Sequence, residues 1–520
     1  MSAGPNPHDP ISLSVLAGGL RAICDEMGAV LIRAAHSPNI KERHDCSTAL
    51  FEAGGELVMQ AEHIPVHLGS MPDAVAAVID RAEGPAAGDL WILNDPFAGG
   101  THLPDVTLVS PLLDGGELLG WAASRAHHAD IGGPTPGGMP ARSRTLAEEG
   151  VVIPPRLLGK GGDAEIRDLV AQMRNPTQRL ADLRAQRAAN LLAAARVDEL
   201  VARDGAEALR VGMTAVLDHA ERRGRAAIAA LPDGTFEAED ALVAADGSPV
   251  PLRVSVTVEG EEMRVDFAGS SAQVDGNLNC PLSVTKAATL FAVRVLTDPD
   301  APPCAGGHRP IEISAERGSV LNAEPGAAVV AGNVETSSRV ADLVLAALAE
   351  VADGPAQGQG TMNNVTLASL GEGDGADDGE GFTYYETLGG GQGACADSAG
   401  PSAIHVAMSN TLNTPIEALE AELPIRVRSL GLRRGSGGAG RYGGGEGIVR
   451  EIESLVPMRF TLITERRDIG PRGRDGGLSG APGRNSLNGE PLAAKTEGTL
   501  QPGDVLRIET PGGGGFGEPG

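Results

Sequence analysis

The sequence predicts a mixed α/β (α+β) multi-domain chain with β-hairpin-rich sheets, a central helical segment and a glycine-rich C-terminal region. Three observations carry this. Helical and strand periodicities occupy separate stretches of the chain. A length of 520 residues exceeds one ordinary core, at roughly 150 residues per domain. The 72 glycines and 36 prolines punctuate the strand-like stretches and crowd the C-terminal third, while a hydrophobic fraction of 41% still supports globular folding.

The elements follow in order. Asp9-Pro10 is a helix start, since Asp accepts from free N–H groups and Pro has no N–H to leave unpaired. Leu13, Leu16, Leu20, Ile23, Met27, Leu31 and Ala34 then recur at helical spacing as a core stripe. Short apolar runs at 48–51, 57–60, 89–93, 106–112 and 117–123, divided by Gly- or Pro-containing turns, read as sheet and loops. The first region is therefore 1–160, a helix plus sheet and loops. Residues 161–231, rich in Ala, Leu, Arg and Glu and broken at Asn175-Pro176, predict two or three helices with solvated charges. In 232–352, alternating runs at 253–258 and 263–267 flank Glu259-Gly260 as a hairpin, and 339–351 has helical spacing. The last region, 353–520, opens with a Gly- and Asp-rich stretch at 353–381 that reads as a mobile linker or lid.

Composition excludes several functions. A net charge of −27 without a Lys/Arg stripe disfavours nucleic acid, and 2% aromatics leaves few stacking platforms for carbohydrate or single strands. Cys24, Cys46, Cys280, Cys304 and Cys395 are scattered and form no C-x-x-C pair, which fits a reducing compartment. With no signal-like N-terminus and no run near the roughly 18 apolar residues of a membrane span, a soluble, unprocessed, cytoplasmic protein that binds no membrane is expected.

The histidines mark the chemistry. Of 11, seven (His36, His44, His63, His67, His102, His127 and His128) fall within one stretch of the first region. The sharpest patterns are the run from Asn94-Asp95-Pro96 through Thr101-His102-Leu103-Pro104-Asp105, and Arg125-Ala126-His127-His128-Ala129-Asp130. A hairpin about Asp114-Gly115-Gly116 sets Asp105 opposite Arg125 and extends His102 and Leu103 towards His128 and His127, with paired Cβ atoms roughly 5 Å apart. Two imidazoles and a carboxylate there form a catalytic ligand set with open positions for water or substrate. The same residues also fit polar groups satisfied at strand ends, with His127 or His128 bonded to Asp95 or Asp130. His63 and His67 read as structural alone, and as substrate-binding groups if they line the same site. Glu42, Arg43, His44 and Asp45 read as a solvated turn.

Other motifs lack their context. Gly435-Ser436-Gly437-Gly438-Ala439-Gly440 fits G-x-G-x-x-G but is followed by Arg441-Tyr442-Gly443-Gly444-Gly445, a poor helix opening. No phosphate loop, H-E-x-x-H pair or nucleophile elbow occurs, so any ATP is handled by a partner. Gly389-Gly390-Gly391-Gln392-Gly393 and the glycines at 512–515 suit tight turns and close backbone approach.

Several long motifs in order resemble the hydantoinase B/oxoprolinase family, B-type subunits of ATP-dependent N-methylhydantoinase and 5-oxoprolinase, with acetone and acetophenone carboxylase subunits as relatives. They are the run from Ala61-Glu62-His63 to Ser70-Met71, the run from Asn94 to Asp105, Ala126-His127-His128-Ala129-Asp130-Ile131-Gly132-Gly133, Asp266-Phe267-Ala268-Gly269-Ser270, Tyr384-Tyr385-Glu386-Thr387, the run from Gly435 to Tyr442, and the run from Thr510 to Gly517. The resemblance implies a divalent metal (manganese, zinc or magnesium) on His102, Asp105 and His127, with Asp95 and His128 as supporting or acid/base groups. It also implies an A-type hydantoinase/oxoprolinase ATPase subunit that phosphorylates a lactam or imide oxygen, after which this subunit opens the ring of a cyclic amide. A ketone carboxylase subunit and a non-catalytic scaffold are the rival functions. Pro471-Arg472-Gly473-Arg474-Asp475 and His44 depart from the family pattern and bear on the substrate.

Overall fold

A computed structural model describes residues 9–67, 69–159, 162–370 and 381–520. The first helix is α1, Pro10–Ala34, capped where Asp9 accepts from the Ser12 N–H at 3.0 Å. Its stripe enters the core from Leu20 onward, with Leu20, Ile23, Met27 and Leu31 buried. A short α2 (Pro38–Lys41) leads into β1 (Cys46–Glu52) and β2 (Leu57–Glu62). After α3 (Met71–Ile79) come β3 (Trp91–Leu93), β4 (Asp105–Asp114), β5 (Glu117–His127) and β6 (Arg156–Leu157). These six strands form an antiparallel sheet in the order β2-β1-β5-β4-β3-β6.

The β4–β5 hairpin corrects the expected register. Gly115 and Gly116 alone make the turn, with φ of +56° and +95°, and a bulge follows between Leu112 and Leu113. Asp105 consequently lies opposite His127 instead of Arg125, and Arg125 lies opposite Thr107. From Leu112 back to Asp105 the displacement is an even number of residues, so the side chains there keep the sheet face expected of them.

Three helices follow, α4 (Asp163–Val170), α5 (Pro176–Asp204) and α6 (Ala206–Ile228), with the break at Asn175-Pro176 as predicted. The expectation that their charges are solvated fails at two positions of α5, Arg179 and Asp182, which are buried together with the amides Gln186 and Asn190. Asp182 accepts from the N–H groups of His36 and Ser37 at 2.8 and 3.0 Å. Gln186 Nε2 donates to the Val106 and Ser124 carbonyls at 2.9 and 3.2 Å, and Asn190 Nδ2 to the Leu108 carbonyl at 3.2 Å. Small alanines on the same face, Ala185, Ala189 and Ala193, let α5 approach the sheet closely enough for these amides to serve strand carbonyls.

A second sheet, in the order β10-β9-β8-β7, is built from β7 (Gly234–Val243), β8 (Pro249–Glu259), β9 (Glu262–Asp266) and β10 (Ile311–Ser314), with Gly260 at φ +62° in the predicted turn. Helices α7 (Leu282–Thr297) and α8 (Ser337–Leu348) share its apolar core, and a π-helical turn, Gly332–Thr336, runs directly into α8.

The stretch 353–381, expected to be a linker or lid, contains β11 (Asn364–Ser369), an inner strand buried over most of its length. Its portion 371–380 lies outside the described residues. Strand β11 pairs with β12 (Thr383–Glu386) and, beyond α9 (Ile416–Glu422), the chain adds β13 (Ile425–Leu432), β14 (Ile448–Ser454), β15 (Met458–Ile463), β16 (Arg484–Leu487), β17 (Glu490–Leu492), β18 (Lys495–Leu500) and β19 (Val505–Glu509). They complete two sheets, ordered β12-β11-β15-β18 and β13-β14-β19-β16-β17. No helix follows the G-x-G-x-x-G run, whose backbone packs on the terminal glycines: Gly438 N–H donates to the Gly513 carbonyl and Gly513 N–H to the Gly445 carbonyl, both at 2.8 Å. Among the described residues, no helix is long and apolar enough to cross a membrane.

Candidate metal centre

The centre grows from strand alternation. Ser47 on β1 pairs with Arg125 on β5, Thr107 on β4 pairs with the same Arg125, and Asp105 pairs with His127, so these five residues share one face of the sheet. Arg125 is buried and immobilised by Thr107 Oγ1 at 2.8 Å and Ser70 Oγ at 2.5 Å. The loop before β4 brings His102 back over Asp105. Asn94 ties that loop, its Nδ2 donating to the Leu103 carbonyl at 2.8 Å and its Oδ1 accepting from the Ile153 N–H at 2.6 Å. Gly99, at φ +96°, passes so close to the start of α3 that a Cβ there would meet the Asp73 carbonyl oxygen at 2.4 Å.

Asp105 is the hub. Its Oδ1 lies 3.1 Å from His102 Nε2 and 3.2 Å from His127 Nδ1. Its Oδ2 accepts from Thr101 Oγ1 at 2.7 Å and lies 3.5 Å from His67 Nε2. The turn Pro65–His67 presents that imidazole, and its Nδ1 sits 2.9 Å from Ser47 Oγ. All four side chains are buried. Two atoms each bonded to one divalent ion at about 2.1 Å stand about 3.0–3.4 Å apart in octahedral or tetrahedral geometry. The separations of 3.1 and 3.2 Å fall inside that interval.

The electrostatics point the same way. Burial pushes the Asp105 carboxyl up, but the neighbouring imidazoles, His102 foremost and then His127 and His67, outweigh it and hold the group well below the usual carboxylate range. Burial takes His127 down to about 4 and also lowers His67, so both rings are neutral at pH 7. Neither ring then supplies positive charge to the buried carboxylate, whose charged neighbour on the same face is Arg125. Both ring nitrogens of His102, Nε2 of His67 and Nε2 of His127 are buried without a hydrogen-bond partner. A cation held there would add positive charge and occupy His102 Nε2, whose burial is otherwise uncompensated. Among the described residues, His102, Asp105 and His127 are the group whose ligand atoms converge closely enough to hold one ion.

The remaining candidates sit elsewhere. His63 is half-buried, its ring 5.9 Å from that of His44. Asp95 caps the turn Pro96–Ala98, accepting from the Phe97 N–H at 3.0 Å. His128 follows His127 and so faces the other side of the sheet, where its Nε2 is 3.0 Å from Gln186 Oε1 on α5. Asp130 organises the loop after β5 by accepting from the N–H groups of Gly132 and Gly137, both at 2.7 Å.

Sequence reasoning missed three neighbours. Arg43 and Asp45, expected in a solvated turn, are buried. Arg43 Nη2 donates to Thr387 Oγ1 and Thr411 Oγ1 at 2.6 and 2.9 Å, which no local pattern announces because the acceptors lie more than 300 residues away. Burial, then the neighbouring Asp105, push the Asp45 carboxyl up to about 8. The third is Tyr385, whose ring lies against that of His127 at 4.6 Å between centroids and 14° between planes.

The placement of His128 has a measurable consequence. Burial depresses it to about 4, against about 6.5 in an unfolded chain. The unfolded state thus binds the proton first, so this residue's contribution to stability is complete above pH 6.5 and is lost as pH falls towards 4. His128→Gln is expected to flatten the acid loss over that window by about 1–3 kcal/mol while leaving bound metal within about twofold of wild type. Urea titrations at several pH values, paired with elemental analysis, read both.

A buried two-histidine, one-carboxylate cluster at the end of a sheet defines a candidate metalloenzyme. The chain belongs to the Hydantoinase B/oxoprolinase family, whose profile matches residues 9–519. It is 37% identical over 547 residues to 5-oxoprolinase 1 of Arabidopsis thaliana, an alignment that covers 98% of this chain and 42% of that protein. The chain thus spans less than half the length of that relative. It is 30% identical over 540 residues to a Pseudomonas sp. (strain NS671) protein assigned as the B-type subunit of a D-/L-hydantoinase, covering 98% of this chain and 90% of the other. Its fold matches the crystal structure of ATP-dependent caprolactamase from Pseudomonas jessenii with a TM-score of 0.91 at 27% identity, covering 99% of this chain and 92% of that one.

Proposed function

We propose that this chain is the ring-opening subunit of an ATP-dependent cyclic-amide hydrolase of the 5-oxoproline or hydantoin type, with ATP handled by an A-type partner subunit. The observation that carries the proposal is the convergence of imidazole nitrogens of His102, His127 and His67 on the ionised Asp105, in a chain of this family. Likeness to 5-oxoprolinase 1, a B-type hydantoinase subunit and a caprolactamase supports the substrate class, since all three names denote cyclic amides.

His102, Asp105 and His127 would hold a divalent cation, with His67 at the edge of the set. The nitrogen-rich donors favour zinc over magnesium, which prefers oxygen. Such an ion supplies Lewis-acid polarisation of an amide oxygen or of water. The protein does the rest. Thr101 and Ser47 orient Asp105 and His67 through the 2.7 and 2.9 Å contacts. Burial of the whole cluster keeps bulk water away from the reacting bond. Asp95 and His128 act structurally here, through the loop cap and the α5 contact. Phosphorylation of the lactam or imide oxygen by the partner turns a poor electrophile into an activated one, and the sequence's lack of a phosphate loop fits that division of labour.

The test is co-purification with an A-type ATPase subunit, followed by assays of ATP-dependent ring opening of 5-oxoproline, hydantoins and simple lactams, with and without bicarbonate. Ring opening that needs ATP but not bicarbonate is expected. Bicarbonate-dependent carboxylation of a ketone, or turnover that survives loss of Asp105, overturns the proposal.

A further inference from the structure

Tyr385 belongs to the Tyr384-Tyr385-Glu386-Thr387 run, to which the proposed chemistry assigns no task. Its ring lies nearly parallel to that of His127, at 4.6 Å and 14°. The ring is buried at 1% exposure, and its hydroxyl donates to Asn364 Oδ1 at 2.7 Å. Asn364 is held in turn, because its Nδ2 donates to the Ile463 carbonyl and to Glu335 Oε1, both at 2.8 Å. This orients the amide uniquely, with Oδ1 towards the phenol. Glu335 also accepts from the Met362 N–H at 3.3 Å and sits in the π-helical turn Gly332–Thr336. Such turns insert one residue into a helix and swing side chains out of their usual positions.

Resting on the metal reading above, we infer that Glu335, Asn364 and Tyr385 form a clamp that fixes the plane of the His127 ring and thereby sets how tightly and in what geometry the centre holds its metal. Tyr385 is a positioning residue and touches no reacting atom. The inference follows from what His127 otherwise lacks. Its Nδ1 faces Asp105 at 3.2 Å, but its Nε2 has no hydrogen-bond partner. Ligand histidines are ordinarily oriented by a hydrogen bond to the second ring nitrogen. Here a stacked aromatic face, itself tethered through two further residues, takes that part. The clamp also explains why the site draws on distant regions: β12 and β11 deliver Tyr385 and Asn364, and the π-helical turn delivers Glu335, onto a histidine from β5.

The experiment is cobalt(II) titration of the full chain, read by visible d–d absorption, for wild type, Tyr385→Phe and Tyr385→Leu, with circular dichroism and melting curves as folding controls. Tyr385→Met serves as the ring-deleted variant should Tyr385→Leu not fold. Tyr385→Leu is expected to weaken cobalt binding by about 10–100-fold and to alter the spectrum. Tyr385→Phe, which keeps the ring and loses only the tether, should retain the spectrum with a loss of about threefold. Equal binding and spectra in wild type and the ring-deleted variant overturn the clamp while leaving the metal reading intact. A Phe variant as impaired as the Leu variant overturns the stacking role. Wild type that takes up no cobalt overturns the metal reading and the clamp with it.

Discussion

Asp105→Asn is expected to abolish metal retention and to lower the ring-opening rate of the assembled enzyme by at least about a hundredfold, since it removes a ligand whereas even groups behind ligands are worth 10–100-fold. The substitution keeps size and removes only the charge on which His102, His127 and His67 converge, at 3.1, 3.2 and 3.5 Å. An amide in that position offers a weaker donor oxygen and no countercharge, and its NH2 group turns a donor towards the imidazoles. Elemental analysis after dialysis, wild type beside variant, reads the first effect. About one divalent ion per wild-type chain and none in Asp105→Asn is the expected pair. Retention of metal by the variant contradicts the assignment, and the fold should survive, because Asn keeps the size of the side chain.

The second large effect is on stability. Gly513→Ala is expected to destabilise the C-terminal sheets by at least about 3 kcal/mol, the upper end of ordinary overpacking. A Cβ at Gly513 would stand 1.9 Å from the Gln392 carbonyl oxygen and 2.3 Å from its carbon. Both are backbone atoms, so no rotamer change relieves the clash. Gly276→Ala is the control, with nothing within 4 Å of the added carbon and a change near neutral. Urea melts of both variants decide it, and an unperturbed Gly513→Ala would show that the glycine-rich runs are not packed backbone to backbone.

Much of the fold was legible locally. The capped first helix, the β4–β5 and β8–β9 hairpins, the helical break at Asn175-Pro176 and α8 each rest on neighbours within a few residues, where periodicity and turn chemistry act directly. The candidate site was partly legible. His102, Asp105 and His127 were brought near one another by the hairpin, because adjacent antiparallel strands meet whatever the rest of the chain does. The separation of His127 from His128 was also available from alternation along a strand, and pooling the two obscured it.

What escaped required distance. Reading 353–381 as a linker gave its glycines and aspartates more weight than the short apolar run that forms β11, and only pairing with β12 and β15 reveals a strand there. Arg43 and Asp45 look solvated by composition but are buried, and Arg43 is held by Thr387 and Thr411 from a distant part of the chain. The sequence by itself determined the first helix, the hairpins, the helical break and the glycine positions at which two backbones meet, since each depends on local conformational preference. Tertiary structure alone decided the bulge that sets Asp105 opposite His127, the face that buries His128 against α5, and the approach of Tyr385 to His127. The last two are set by packing between segments that are not neighbours in the chain, whose energy is shared among many contacts and is written in no single stretch of chain.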